Sequence, residues 1–263
     1  MTATGAPPDW SLPEGVDAAL WNYTNEQRLA LDEDAYFHNH PLLKADSAAL
    51  EARFDRPGSL IDLGCGTGRL SVRFAELGFR VVAVDLSTPM LRAAAARAEN
   101  SGVRIAPLRA SLCRLQCIPD QSFDYAISMF STLGMIRGAA ARGRAVAEAS
   151  RILRVGGRSA LHAHNLWLNL RDSQGRIRLA KGLFRSLAGG DPIGDVRMTY
   201  RGVPNMYVHL FTWGELAGAL KSSGFRIDEV LPIDEIDARP IAFPRLAHSL
   251  RAGGWIVFCT RVR

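Results

Sequence analysis

Residues Ser59–Leu70 read SLIDLGCGTGRL. Leu60, Ile61 and Leu63 around Asp62 have the apolar character of a strand. Three glycines then follow at alternate positions, Gly64-x-Gly66-x-Gly68, ahead of an amphipathic run. A strand that enters a helix through a glycine-rich turn is where an α/β sheet binds a nucleotide-like ligand. Glycine serves there because the turn needs unusual φ/ψ values and the ligand must approach bare backbone. For a stretch this short, the alternative is a tight βα connection with no ligand.

Two further features decide between these readings. The dinucleotide fingerprint G-x-G-x-x-G/A needs a small residue at its sixth position, where this chain has Arg69. Asp85 closes the next apolar run, RVVAVDL, and lies 23 residues beyond Asp62. A carboxylate at the end of a second strand can accept hydrogen bonds from both hydroxyls of a ribose. Together the two stretches resemble motifs I and II of the class I S-adenosylmethionine-dependent methyltransferases, D/E-x-G-x-G-x-G and an acidic residue after the second strand. The resemblance stands ahead of NAD binding. It implies a Rossmann-like, doubly wound α/β sheet of seven strands, mostly parallel, whose antiparallel last strand inserts beside strand six. S-adenosylmethionine would be the methyl donor and S-adenosylhomocysteine the product.

The 263 residues suffice for one α/β domain with insertions and a sizeable core. A hydrophobic content of 48% and a charged content of 22% suit a globular chain. No apolar run reaches the ~18 residues of a membrane span. The start, MTATGAPPDW, lacks the basic and apolar regions of a secretory signal. Few cysteines and no signal fit a reducing cytoplasm. Cys113 and Cys117 have a C-x3-C spacing without a second pair, which argues against a zinc site, and no metal is expected. The His38-Asn39-His40 triplet before Pro41 reads as a turn.

Residues 1–12 are small, polar and proline-containing, as in a disordered terminus. Residues 13–57 read as a helical cover ahead of the glycine loop, and 13–263 as a single domain. Thr67 is a candidate N-cap for a helix to Leu77. Ser122-Phe123-Asp124 leads into a buried fourth strand with Met129 and Phe130 at its carboxyl end. RILRVGG resembles the family's R-x-L-K-P-G-G turn before a fifth strand, SALHAHN, which puts His162 and His164 on one face. Thr212-x-x-Glu215 has the form of a capping box. Between them, residues 165–205 form an irregular insertion. From Asn165 to Val203 it carries seven basic residues against three acidic ones. Within it Ile177, Ala180, Phe184 and Leu187 fall at helical spacing among Arg176, Arg178, Lys181 and Arg185. That is a basic amphipathic helix, expected as a lid with its apolar stripe toward the acceptor, or else a plain surface helix.

The resemblance also assigns roles. Backbone of Gly64, Cys65, Gly66, Thr67 and Gly68 suits the carboxylate of the methionine moiety. Asp62 would orient its ammonium group, Asp85 would hold the ribose, and Leu86, Met90 and Leu112 would sandwich the adenine. Ser111 stands where the family usually has an acidic residue contacting adenine. Ligand sites of open α/β sheets lie at the carboxyl ends of the strands, so His164 and Asn165 are expected near the transferred methyl. If the acceptor needs a general base, His164 is the first candidate and His209 the second. The alternative for His162 and His164 is a purely structural, hydrogen-bonded role. The expected acceptor is a small or lipid-like molecule, anionic with an apolar body, methylated on oxygen or another heteroatom. A tRNA-modifying enzyme is the alternative, without a recognisable RNA-binding module to support it. A non-catalytic cofactor-binding protein is another, since fold alone does not establish activity.

Overall fold

The computed structural model describes residues 6–37, 40–234, 239–241, 243 and 247–263. His38 and Asn39 of the polar triplet, and residues 1–5, lie outside the described residues. Asp9–Ser11, within the stretch expected to be disordered, forms a single 3-10 turn. The segment ahead of β1 contributes α1 (Ala18–Asn25), α2 (Gln27–Leu31), α3 (Glu33–Phe37) and α4 (Pro41–Glu51). Then come β1 (Ser59–Leu63), α5 (Arg69–Glu76), β2 (Arg80–Asp85), α6 (Thr88–Asn100), β3 (Ile105–Arg109) and β4 (Phe123–Ser128). After α7 (Ala139–Ile152) and β5 (Leu153–His164) come α8 (Ser173–Leu187) and a hairpin of β6 (Asp195–Tyr200) and β7 (Val203–His209), which runs past the 165–205 bounds expected for the insertion. The chain ends with α9 (Trp213–Ser222), β8 (Phe225–Asp234), β9 (Arg239–Pro240), α10 (His248–Arg251) and β10 (Gly254–Arg261).

The main sheet has the order β3-β2-β1-β4-β5-β10-β8-β9. β1 pairs in parallel with β2 and β4, and β10 runs antiparallel between β5 and β8. The expected topology is therefore present, with eight strands rather than seven. The extra strand β9 is two residues long and pairs with Ile233 and Asp234. It lies at the sheet edge, where Pro240, with no N–H to donate, is tolerated. Every residue of β1 is buried, as befits a central parallel strand covered on both faces. Ile61 and Leu63 join one core cluster with Trp255 and Val257, and Leu60 joins the other with Phe74 and Phe258.

Two expected caps differ. Helix α5 starts at Arg69 with Gly68, in the left-handed region, at its N-cap. Thr67 does not cap it, because its hydroxyl is engaged by Glu33 and Arg97. A Cβ on Gly68 would lie 2.6 Å from the Cβ of Ala94, so this glycine lets α6 approach. Thr212 does cap α9, accepting from the Glu215 amide at 3.3 Å. Glu215, however, does not reach back; its carboxylate turns to His209 and Arg142.

The insertion helix also docks differently. Its buried face is Gly175, Leu179 and Gly182, not the bulky stripe. A Cβ on Gly175 would fall 2.1 Å from the Asn169 carbonyl oxygen, and one on Gly182 3.2 Å from that of Ile193. The helix is seated by its smallest residues, which permit backbone-close packing, so side-chain hydrophobicity does not mark the docked side.

The β6–β7 hairpin turns on Arg201-Gly202, both at positive φ, the backbone geometry that matches a two-residue hairpin loop. A polar network, in which Arg142, Tyr207 and His209 are buried and Glu215 is exposed, pins it to the domain. Asp195 Oδ1 accepts from the Tyr207 hydroxyl at 2.7 Å and lies 2.6 Å from His209 Nδ1. His209 Nε2 is 2.9 Å from Glu215 Oε1. Arg142 donates to the Tyr207 hydroxyl at 2.8 Å and pairs with Glu215 at 3.4 Å. Both imidazole nitrogens meet carboxylates, so each carries a proton. Burial alone would depress the imidazole pKa, but the bonds to Asp195 and Glu215 and the charge of Glu215 leave it raised. Burial likewise opposes ionisation of Asp195 and Glu215, and their bonds to His209 hold both below the ordinary range.

The sign of the resulting pH dependence follows by linkage. The raised imidazole stabilises the fold fully below the ordinary histidine pKa of ~6.5 and ceases to do so as pH rises through its folded value. The two lowered carboxyls stabilise above about pH 4 and lose that effect as pH falls through their folded values. His209→Gln is expected to lower unfolding stability by roughly 2–3 kcal/mol near neutral pH. Urea denaturation across a pH series should show the deficit shrinking as pH rises past the imidazole titration. A deficit independent of pH would contradict a charged His209.

Candidate functional site

The turn after β1 has Gly64, Gly66 and Gly68 at φ of +82°, +54° and +76°. A Cβ on Gly64 would fall 2.3 Å from Thr132 Cγ2, so its conformation and its packing both require glycine. The amides of Gly64 and Cys65 donate to the Val84 carbonyl oxygen at 2.8 and 3.0 Å, which ties the loop to the end of β2. Asp85, the last residue of β2, accepts from the Gly66 amide at 3.0 Å and from the Ser87 amide at 2.8 Å. Burial raises its pKa despite these amides. Asp62 accepts from the Ser71 hydroxyl at 2.7 Å, and its burial pushes it up to about 6.

A cleft of about 1210 Å³ opens at the carboxyl ends of β1, β2, β4 and β5. Asp62, Gly64, Cys65, Gly66 and Thr67 line it, followed by Asp85, Leu86, Met90, Ser111 and Leu112. Met129, Phe130 and His164 continue the wall. Phe130 and Ser131, neither of them glycine, have φ of +56° and +59°. Such backbone at the end of a central strand costs energy and is held in place by its surroundings.

Three expected residues fall elsewhere. Gly68 does not line the cleft and serves packing against α6. Asn165 is fully buried, and its side-chain amide donates to the carbonyls of Ala252 and Ser249, clamping the end of β5 to the segment before β10. His209 sits in the hairpin network with only 2% exposure and does not reach the cleft. Alternation along β7 explains this: Tyr207 and His209 face the network, while Val208 and Leu210 line the cleft.

Several site residues escape a reading of the sequence. Glu33 of α3 lies against the glycine loop, accepting from the Thr67 hydroxyl at 3.2 Å and its amide at 3.4 Å. Arg201, at the hairpin tip, pairs with Glu33 at 3.5 Å and donates to the Leu29 carbonyl at 2.8 Å. Arg97 of α6 donates to the Thr67 carbonyl at 3.0 Å. Arg69 donates to the Leu43 carbonyl and to the buried Asp46, both at 2.8 Å, and so anchors α4 on the start of α5. No local pattern marks Glu33, whose partner is 34 residues away. Arg201-Gly202 does carry a turn signal.

Glu33, Asp62 and Asp85 thus gather three carboxylates at one end of the cleft, each with a pKa raised by burial. Crowded, desolvated negative charge is relieved by a cation. A ligand with a ribose diol, an ammonium and a sulfonium fits that set of acceptors, and Leu86, Met90 and Leu112 line the same cleft.

A methyltransferase-domain family model matches residues 60–157. The chain is 34% identical over 188 residues to the ubiquinone/menaquinone biosynthesis C-methyltransferase UbiE of Syntrophotalea carbinolica, covering 68% of this chain and 73% of that protein. It is 30% identical over 233 residues to the malonyl-[acyl-carrier protein] O-methyltransferase of Geobacter sulfurreducens, covering 86% and 78%. The fold matches the Burkholderia thailandensis 1,6-didemethyltoxoflavin-N1-methyltransferase, solved with S-adenosylhomocysteine, with a TM-score of 0.62 at 20% identity, over 90% of this chain and 85% of that one. The glycine loop, Asp85 and these relatives agree, and the chain belongs to the class I S-adenosylmethionine-dependent methyltransferases.

Proposed function

We propose that this enzyme methylates a small molecule with an apolar body and an anionic group, on oxygen or another heteroatom. The observation that carries the reading is the wall opposite the glycine loop. There Val196, Met198 and Val208 of the β6–β7 hairpin, and Leu210 just after it, line the same cleft as Arg171 and Arg178. Arg171 is held by Asp234 at 2.9 Å. Arg178 donates to Asn169 at 3.2 Å and meets no carboxylate among the described residues. Its remaining N–H groups can serve an anionic acceptor.

S-adenosylmethionine, when bound, supplies a methyl group already activated on sulfonium, so the protein's part is alignment and exclusion of water. Asp85 would accept from the ribose hydroxyls, its carboxylate oriented by the Gly66 and Ser87 amides. Asp62 would orient the ammonium group, and the backbone at Gly64–Thr67 would face the methionine carboxylate. Ser111 and Leu112 would meet the adenine beside Leu86 and Met90. His164 is half-buried in the cleft wall at the carboxyl end of β5, with its amide 3.3 Å from the Ser131 hydroxyl. Its imidazole packs edge-on against that of His162 at 5.0 Å between centroids. We assign it the role of accepting the acceptor's proton. The two relatives methylate carbon and oxygen respectively by name, so the preference for a heteroatom rests on this histidine.

Asp85→Ala should weaken S-adenosylmethionine binding about ten- to a hundredfold, the effect of losing charge-assisted hydrogen bonds worth roughly 1.5–3 kcal/mol. Calorimetry reads this, with thermal melting as the check on folding; unchanged affinity in a folded variant would remove Asp85 from the site. His164→Ala should leave cofactor affinity intact and cut turnover on an O–H acceptor by ~10²–10⁴-fold. Near-normal turnover would make His164 a structural residue of β5.

A further inference from the structure

Helix α8 turns its bulky apolar residues to solvent. Phe184 is 78% exposed, Leu187 79%, Leu183 50% and Ile177 46%. The opposite face is closed by the close packing of Gly175 and Gly182 on Asn169 and Ile193, and among the described residues the stripe stays largely exposed. The helix carries Arg176, Arg178, Lys181 and Arg185 and no acidic residue; the nearest carboxylates in sequence are Asp172, which caps its N-terminus, and Asp191 beyond its end. Lys181 and Arg185 stand three residues before and one residue after Phe184, along the edge of the apolar stripe. An exposed apolar stripe bordered by cations on one helix has the composition of an interfacial helix, with apolar side chains for the acyl boundary and basic ones for anionic headgroups.

A second cavity, of about 740 Å³, opens beside this face. Leu166, Leu179, Phe184 and Ile193 line it, together with Lys181 and Arg185. It shares Asn169, Arg178, Val196 and Arg197 with the main cleft. The exposed stripe, this cavity and the acceptor end of the cleft therefore adjoin. Among the described residues no helix is long and apolar enough to cross a membrane, so contact through α8 would be peripheral.

We propose that α8 docks the enzyme on the surface of a bilayer containing anionic phospholipid, with Ile177, Leu183, Phe184 and Leu187 entering the headgroup boundary and Arg176, Lys181 and Arg185 meeting lipid phosphates. Charge selects this occupant: the face is uniformly cationic, and a second copy of the chain would bring a like-charged helix against it.

Vesicle flotation with the full chain tests the proposal without cofactor or acceptor, so its failure leaves the reading of the cleft intact. Vesicles of phosphatidylcholine with roughly a third phosphatidylglycerol should carry the protein, pure phosphatidylcholine should carry far less, and added salt should release it. Phe184→Ser with Leu187→Ser should cut the bound fraction about tenfold or more with an unchanged melting temperature, since both side chains are exposed. Lys181→Gln with Arg185→Gln should weaken the preference for anionic vesicles. Absence of flotation, equal flotation on neutral vesicles, or undiminished flotation of the serine variant overturns the proposal. So does a mass that doubles with concentration in sedimentation equilibrium and returns to the monomer in the serine variant, which would give the face to a second copy.

Discussion

The hydrogen bond from the Gly66 amide to Asp85, at 3.0 Å, holds together the two ends on which the site is built. It forms only if the chain leaving β1 turns back over the end of β2, and that turn needs left-handed backbone at three alternate residues. The Gly64 and Cys65 amides on the Val84 carbonyl lock the same approach from the other side. Once the loop is fixed, Gly68 admits α6, Arg69 anchors α4 through Asp46, and Thr67 becomes the contact for Glu33 and Arg97. The N-terminal helices are thus seated on the loop by polar contacts as well as by burial.

A second constraint sets the far wall of the cleft. The hairpin of the insertion is antiparallel and only two strands wide, a form with little stability alone. Its inward residues divide by alternation between an ionic network and an apolar wall. Asp195, Tyr207 and His209 bond to Arg142 and Glu215 on α7 and α9, and Val196, Val208 and Leu210 are thereby presented to the cleft. Breaking the His209–Asp195 contact in its buried part costs more than breaking an exposed pair, because a partner is left charged and desolvated. The clasp of Arg201 with Glu33 ties the same hairpin to the N-terminal helices beside the glycine loop. Segments around Glu33, Thr67 and Arg201, separate in sequence, meet there.

The two faces of α8 show why one insertion can combine these features. Glycines seat it against the segments that carry Asn169 and Ile193, beside Arg178 and Val196 of the cleft wall. Its bulky residues stay outside. Exposed apolar side chains occur singly on most proteins, whereas here four lie along one helix with cations at their edge.

The strand, the glycine turn and the acidic residue after β2 were legible in the sequence because their physics is local. Positive φ requires glycine, and a carboxylate closing an apolar run lands at the end of a strand. The sheet order, with β10 between β5 and β8, followed from the resemblance those residues carry; the short β9 did not, since two residues leave no periodic signal. The residues expected on the cofactor side line one cleft for the same reason, Gly68 excepted, which packs against α6. His209, Glu33, Arg201 and the docked face of α8 were decided by tertiary structure alone. For His209, a period of two identifies which residues share a face but not which face meets the ligand. Glu33 and Arg201 act through partners distant in the chain, and α8 is seated by the absence of side chains at Gly175 and Gly182. Hydrophobic pattern records what a helix could bury, and close backbone contact at glycine decided what it did bury.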